Sequence, residues 1–401
     1  MLNIVVVGGG FGGIYTLIEL LKNLSNNEVK ITLFNKNNYF LFTPLLHEVA
    51  TGGLNPTNVA EGIREIIKSP KVEFVEKMVD RIDLENKKVY ACSKEIAYDY
   101  IVIATGSESN PKKIAGYERC FTLKDLSSAV KLKRAIIEKV QNSVLQKQEL
   151  NISVIGAGST GVELVCEIQE LIFKEMSNYY GSQLYEHAKI NLISPLGILK
   201  DEEQKVRDIA KQTIIGKNIN LIANKRVISV DDNSITLEGG QKVQSDLTVY
   251  TGGVRANLPE MTPNSAVLDN GKLSVNSFMH IKDFETAYAL GDCAHLMQDD
   301  NPIPMLAQAA VNEAKIVGKN IAAKIKGEKE IQFNYKHKGT IISLGQWNAV
   351  ANIYGVIQKG KLVWWIWRTV YLFKFISPRK RFKIALDWTI NLISPRDIVT
   401  Y

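Results

Sequence analysis

The apolar positions of the chain first group at residues 3 to 13, NIVVVGGGFGG, where a β-branched run passes into Gly8-x-Gly10-x-x-Gly13. IYTLIELLKNL follows with helical spacing, and VKITLF then reads as a buried strand ending at Asn35 and Lys36. The same grammar returns at 151 to 161, NISVIGAGSTG, with Gly156-x-Gly158-x-x-Gly161. The helix VELVCEIQELIFKEM follows, and the strand KINLIS ends at Ser194. Two further stretches, YDYIVIATG (98 to 106) and SDLTVYTGG (245 to 253), share a polar start, a buried strand and a glycine stop. TAYALGDCAH (286 to 295) adds a strand that ends in Gly291-Asp292. Strands alternating with helices predict an α/β fold with two Rossmann-like nucleotide-binding domains.

The glycines have a chemical reason. Gly8 permits a tight turn, Gly10 lets backbone approach a pyrophosphate, and Gly13 lets the helix pack close to the strand. The helix N-terminus offers free N–H groups and a positive dipole end to phosphate. Gly8, Gly10, Phe11, Gly12 and Gly13 therefore form one expected phosphate cradle, and Gly156, Gly158, Ser159, Thr160 and Gly161 the second. One such motif is weak evidence; two in the correct strand-turn-helix setting are far stronger. At Asn35 and at Ser194 the ribose-binding acid common in such folds is absent. Asn35 can still hydrogen-bond a hydroxyl, and Ser194 leaves no carboxylate to repel a 2′-phosphate, so NADH and NADPH both stay open. Ala104, Thr105 and Gly106, like Gly252 and Gly253, end the last strand of a nucleotide-binding half. Asp292 suits a sugar-alcohol chain, and a helix N-cap is the alternative reading.

The end of the chain is patterned differently. From Val363 to Ile376 the run is apolar except for Arg368, Thr369 and Lys374, and four of five tryptophans fall between Trp364 and Trp388. Fourteen residues of helix span only about 21 Å, short of a bilayer core. After the Ser377-Pro378 break, Lys380, Lys383, Asp387 and Asn391 fall along one helical stripe. The pattern predicts helices lying in a membrane plane, with tryptophans at headgroup level and basic groups on anionic lipid. Packing on the body or forming a dimer interface is the alternative.

Composition sharpens this. The net charge is +7, and residues 359 to 401 hold nine Lys or Arg against two acids, so the tail carries the whole surplus. A neutral body gives no support to nucleic-acid binding. The four cysteines form no CxxC and no zinc-like spacing, which fits a reducing compartment and argues against a disulfide framework. No metal site is expected. Neither a signal peptide nor a transmembrane helix is expected.

The order GGGFGG, ATG, GAGSTG, TGG and LGD resembles the two-dinucleotide-binding flavoprotein superfamily over roughly residues 1 to 325. Within it, NNYFLFTPLLHEVATGGL (37 to 54), TGVEL, MLAQAAVNEA (305 to 314) and the tryptophan-rich basic tail resemble the type II NADH:quinone oxidoreductases. The resemblance implies non-covalent FAD, NADH or NADPH as co-substrate, and a membrane quinone as acceptor. It implies no proton pumping, a homodimer, and a peripheral position on the cytoplasmic face of the cell membrane. Implied FAD contacts are the first cradle, Asn35, Lys36, Thr43, Pro44, Val79, Ala104, Thr105, Gly106, Gly291, Asp292, Ala307 and Gln308. Implied NAD(P) contacts are the second cradle, Glu163, Ser194, Gly252 and Gly253. Glu163 and Gln308 are the candidate catalytic residues, and Gln308 and Asn312 the quinone contacts. Asn312 stands where the family pattern AQxAxQ has Gln. A first-turn helix acid is the plain alternative for Glu163, a helix-start polar residue for Gln308, and a solvated loop residue for His47. The implied domains are 1–115 and 256–330 for FAD, 116–255 for NAD(P), and 331–401 for membrane docking and dimerisation.

Three rivals remain in view. A sulfide:quinone oxidoreductase needs redox cysteines beside the flavin, one of them late in the chain, and no cysteine follows Cys293. A nucleotide-binding sensor or scaffold with slow turnover would share the glycine loops. A soluble reductase of a protein partner would not need residues 362 to 401.

Overall fold

The computed structural model describes residues 1–24, 29–111, 114–182 and 184–399. The last two positions of the predicted docking region, Thr400 and Tyr401, lie outside the described residues. The chain forms two compact units, one of residues 1–41, 61–108 and 254–337, the other of 42–60, 109–253 and 338–401.

The first unit is built on a six-stranded sheet in the order His280–Ile281, Phe284–Ala289, Tyr100–Ile103, Leu2–Val7, Val29–Asn35, Val72–Glu76. All neighbours are parallel except the His280–Ile281 edge. Ile4 to Val7 are buried without alternation, because a parallel sheet is covered on both faces. Helices Phe11–Asn23 and Ala307–Lys326 pack together within this unit. The polar start of YDY has a structural role. The Asn3 N–H donates to Asp99 Oδ2 at 2.6 Å and the Asp99 N–H returns to the Asn3 carbonyl at 2.9 Å.

The second unit repeats the plan with a parallel sheet ordered Phe121–Thr122, Leu247–Tyr250, Leu150–Ile155, Ala188–Ser194, Asn220–Ala223. The acid of SDL sets its register as Asp99 does in the first. The Asn151 N–H donates to Asp246 Oδ2 at 2.7 Å and the Asp246 N–H to the Asn151 carbonyl at 2.7 Å. Helix Ser159–Glu170 runs on into a π-helical segment, Leu171–Met176. An antiparallel sheet of Thr340–Ser343, Ala349–Ile353 and Val356–Lys359 leads into helices Lys361–Phe373 and Pro378–Ile393. Ser377 is the N-cap and Pro378 the first residue of the last helix, where a missing N–H breaks no intrahelical bond.

These two helices correct the expected placement of the tryptophans. Trp364, Trp367 and Trp388 are buried in protein, and Trp365 is the one of the four that is exposed. Arg368 lies between two of them, Trp364 and Trp388, while Trp367 packs on His47 and Tyr371. The Arg368 guanidinium sits 3.8 Å from the Trp364 ring centroid and 4.9 Å from that of Trp388, so those two indoles enclose a cation instead of facing lipid. The polar stripe is corrected too. Lys380 donates to the Thr57 carbonyl, Asp387 accepts from Asn55 and Asn58, and Asn391 donates to the Gly53 carbonyl; Lys383 stays exposed. The stripe therefore binds residues 53–58, and the apolar positions face out. Leu362, Trp365, Ile366, Val370 and Phe373 on one helix are exposed, as are Phe382, Leu386, Ile390 and Ile393 on the other. Among the described residues no helix is long and apolar enough to cross a membrane.

Asp387 ties the last helix to the 53–58 segment, accepting at 3.2 Å from the Asn55 N–H and at 2.6 Å from Asn58 Nδ2. Asp387→Ala is expected to lower the stability of the protein by about 1–3 kcal/mol in urea melts. An unchanged midpoint would mean that burial of Trp388 alone holds the helix in place.

Candidate functional site

The first cradle is set by a steric contact. Gly8, at φ +107°, donates its N–H to the Phe34 carbonyl at 2.8 Å, and a Cβ on Gly13 would lie 1.8 Å from the Gly8 carbonyl oxygen. The helix can start against the turn only because position 13 has no side chain. Gly10 is the N-cap and brings no side chain to the first-turn N–H groups, and a Cβ there would meet nothing within 4 Å. Gly12 is buried and Phe11 packs edge-on against Phe40 at 5.0 Å. Asn35 is turned onto the loop. It accepts from the Gly9 N–H and donates to the Asn37 carbonyl, each at 2.8 Å, so its carboxamide braces the glycine turn, while Lys36 beside it is exposed.

Ala104 is buried against this turn, Thr105 and Gly106 follow the strand, and Gly106 has φ +72°. Val79 is buried in the loop after the Val72–Glu76 strand. Gly291 and Asp292 lie in a three-residue 3-10 turn, Gly291–Cys293, and the next helix begins only at Ala307. The N-cap reading of Asp292 is thus overturned. Its carboxylate accepts instead from the Ser107 hydroxyl, and the Gly291 N–H donates to Glu313 Oε2 at 2.6 Å. Burial raises Glu313 to about 7. Ala307 and Gln308 open the Ala307–Lys326 helix, and Asn312 is one turn on, on the same face. Gln308 Nε2 is buried with no hydrogen-bond partner among the described residues. An open glycine turn at a helix N-terminus, an acid at a strand end and an unpaired buried amide together fit a dinucleotide with a polyol chain.

In the other unit, the second cradle copies the first. Gly156, at φ +109°, donates to the Ile193 carbonyl at 2.8 Å, and a Cβ on Gly161 would lie 1.9 Å from the Gly156 carbonyl oxygen. Gly158 is the N-cap with open space around it, and Ser159 and Thr160 are exposed in the first turn. Gly252 and Gly253 line the turn after Tyr250 and are half-buried. Ser194 is buried and donates to the Gly197 carbonyl at 2.8 Å. No carboxylate takes its place at the end of that strand. Also in this unit, Thr43 is exposed and Pro44 half-buried in a 3-10 turn, Thr43–Leu45.

That turn leads into the short helix Leu46–Val49, which packs on helix Ser159–Glu170. His47 is only 2% exposed, so the solvated-loop reading is overturned. Burial, with Arg396 nearby, pushes its pKa down to about 3. Its Nδ1 lies 3.9 Å from Glu163 Oε2, and its Nε2 has no partner among the described residues. Glu163 is fully enclosed and accepts from the Ser343 N–H at 3.2 Å. Burial first, then repulsion from Glu167 and Glu48, raises its pKa to about 8. The pair is therefore a neutral acid beside a neutral imidazole. The first turn of helix Ser159–Glu170 holds no acid and Glu163 lies beyond it, so the reading of Glu163 as a first-turn acid does not describe this site.

One group of residues escaped the sequence reading. Glu163, Glu167 and Glu170 recur at one helical face, and Glu175 joins them through the π-helical segment. Arg396, from the extended C-terminal segment, reaches Glu167 at 2.5 Å, Glu170 at 3.1 Å and Glu175 at 3.9 Å. The signal was present as glutamates at i, i+4 and i+7 in an otherwise apolar helix. The distant arginine had none.

The family model described as pyridine nucleotide-disulphide oxidoreductase matches residues 2–314. The chain belongs to that family. A second model, the NDH2 C-terminal domain, matches residues 337–397. A type II NADH:quinone oxidoreductase of Staphylococcus aureus is 28% identical over 394 residues, which span 95% of this chain and 96% of the relative. The structure of NDH2 from Plasmodium falciparum in complex with NADH superposes with a TM-score of 0.88 at 21% identity, covering 99% of both chains. A sulfide:quinone oxidoreductase from Aquifex aeolicus does so at 0.78 and 18%, covering 98% and 95%. Both superpositions show the same α/β fold along nearly the whole chain.

The raised pKa of Glu163 gives a pH signature. Between its ordinary 4.5 and about 8 the folded chain keeps a proton that the unfolded chain has released, so stability falls as pH rises through that window. Glu163→Gln is expected to flatten the slope and to be more stable than wild type above pH 8, as measured by urea melts across pH. A parallel pair of curves would show that Glu163 is ionised in the fold.

Proposed function

We propose that this chain is an FAD-dependent NADH:quinone oxidoreductase of the type II class, passing two electrons from NADH to a membrane quinone without pumping protons. One observation carries the reading. Two glycine cradles of the same build are followed, in one chain, by a C-terminal region matching the NDH2 C-terminal domain. FAD, when bound, accepts a hydride from NADH and gives up two electrons to the quinone. The residues suited to hold it are Gly8 to Gly13 at the pyrophosphate, Asp292 at the ribityl chain and Gln308 at the ring, with Asn35 bracing the loop. Gly156 to Gly161 suit the NADH phosphates. Glu163 holds a proton for the reaction, and Gln308 and Asn312 offer amides to the quinone head.

The outward apolar faces of helices Lys361–Phe373 and Pro378–Ile393 support docking on a bilayer, with Lys361, Arg379 and Lys383 exposed near anionic headgroups. We place the enzyme on the cytoplasmic face of the cell membrane, as a homodimer. Cysteine chemistry argues against sulfide oxidation. Cys166 and Cys293 are both buried, burial raises both thiols, and no cysteine follows them.

The test is anaerobic flavin absorbance. Adding NADH or NADPH to the purified protein is expected to bleach the flavin band, and a soluble quinone to restore it. The better donor assigns the Ser194 end of the second cradle. Bleaching without recovery would move the chain to a protein-partner reductase or a sensor, and absence of flavin would overturn the reading of the first cradle.

Lipid contact has its own measurement. Full-length protein is expected to float with anionic vesicles in a density gradient, and Phe382→Ser with Ile393→Ser to stay at the bottom with its fold intact. Equal flotation of both proteins would remove the apolar faces from the docking surface.

A further inference from the structure

Five buried glutamates of the second unit, Glu48, Glu163, Glu167, Glu170 and Glu175, surround the C-terminal segment. Three have cations. Arg396 binds Glu167 and Glu170, Lys217 binds Glu170 at 2.7 Å, and Lys174 reaches Glu175 at 3.4 Å. Glu48 and Glu163 have no Lys or Arg within 4.0 Å among the described residues, and Glu163 has only the neutral His47. A buried carboxylate without a cation is costly, so these two positions favour the protonated acid.

Glu48 is placed differently from Glu163. Its Oε2 accepts from Trp388 Nε1 at 2.6 Å. It lines a cavity of about 20 Å³ together with Glu167, Trp364, Arg368, Asn391 and Arg396. That is room for one water, and the lining has the donors and acceptors a water needs. Arg368 is 8% exposed, and its Nε has no hydrogen-bond partner among the described residues. Glu167 stands between the two acids electrostatically, raising the pKa of both. The groups facing Glu48 are Arg368, Trp388, Glu167 and Arg396; those facing Glu163 are Ser343, His47, Glu167, Glu48 and Tyr371.

We propose that Glu48 is a second proton-holding carboxyl of this enzyme, which takes a proton from the water-sized cavity it lines with Trp364 and Arg368 and renews the proton that Glu163 gives up. The inference rests on the quinone-reductase reading and deepens it. Quinone becomes quinol by taking two electrons and two protons, while NADH becomes NAD⁺ by releasing two electrons and one proton. One proton per turnover therefore comes from solvent. In the proposed step Glu163 loses its proton toward the quinone. The Glu48 O–H breaks as the Glu163 O–H forms, and the cavity water hands a proton to Glu48 while taking one from bulk solvent, so that it stays neutral water. Glu48 acts through Glu163 and is a positioning residue for the proton, not a contact of the reacting atoms.

Burial raises Glu48 to about 7, against Arg368 and the Trp388 N–H, close to the value that suits proton exchange at neutral pH. The test uses holoenzyme and infrared difference spectra of the carboxylic-acid C=O stretch, titrated from neutral to alkaline pH. Wild type is expected to show three buried acids, Glu48, Glu163 and Glu313, the last identified by its loss in Glu313→Gln. Glu48→Gln keeps an acceptor for Trp388, loses one band, and shifts the surviving Glu163 band to titrate at lower pH, because a neighbouring negative charge is gone. Its flavin re-oxidation by quinone is expected to slow roughly ten- to a hundred-fold, with the alkaline limb of the pH profile moved. Glu48→Asp should restore the band and part of the rate. All three bands persisting in Glu48→Gln, or an unmoved pH profile after a band is lost, overturns the proposal. Wild type that never passes electrons to quinone would overturn the functional reading instead, separately from the infrared count.

Discussion

Both nucleotide units depend on one contact, a helix backbone pressed onto the carbonyl of the turn that precedes it. At Gly13 and Gly161 a Cβ would fall 1.8 Å and 1.9 Å from the carbonyl oxygens of Gly8 and Gly156. The distances are so close because each turn is built alike. The first glycine takes a positive φ, its N–H is held by the neighbouring strand, and the helix begins three residues later, with the last glycine in its first turn. With the turn fixed, first-turn N–H groups point into space free of side chains, where the dipole favours phosphate. The paired acids Asp99 and Asp246 then fix the start of the strands that press on these turns. Sheet register, turn and phosphate cradle are consequences of the same steric requirement.

The C-terminal helices work by a different rule. A surface helix in water buries its apolar stripe and exposes its polar one. Helix Pro378–Ile393 also buries Ile384 and Trp388, but it turns Asp387 and Asn391 inward to hydrogen-bond residues 53–58 and leaves Phe382, Leu386, Ile390 and Ile393 outside. The exposed apolar area is tolerated because those polar bonds, with buried Ile384 and Trp388, hold the helix from beneath. That arrangement suits an interface with a less polar medium better than one with solvent.

Much of this was legible in the sequence, and the reason is local. Strand, glycine turn and helix follow one another within a dozen residues, so Gly8 to Gly13 and Gly156 to Gly161 announce themselves. Gln308 and Asn312 were legible only through the likeness of MLAQAAVNEA to the family pattern AQxAxQ. What was not legible depends on contacts distant along the chain. His47 is apolar in its surroundings because residues far along the chain, Trp367 among them, cover it. Trp364 and Trp388 enclose Arg368, Trp367 packs on His47, and the stripe of Lys380, Asp387 and Asn391 bonds to backbone more than three hundred residues earlier. Periodicity identified the stripe and could not say which side of the helix met protein.

The same long-range contacts join two properties that the sequence kept apart. Trp388, Arg368 and Arg396 belong to the C-terminal region, yet their partners are Glu48 and the glutamates of helix Ser159–Glu170. Removing Arg396 would leave Glu167 without a cation and add charge beside Glu48 and Glu163, raising both further. Lifting Trp388 would deprive Glu48 of its donor and raise it as well. The protonation of these acids is thus set by how the last helices are seated. A region that faces outward with apolar side chains faces inward with the charges that control buried protons. Any shift of its helices on meeting a bilayer would reach those acids directly, through single hydrogen bonds and ion pairs.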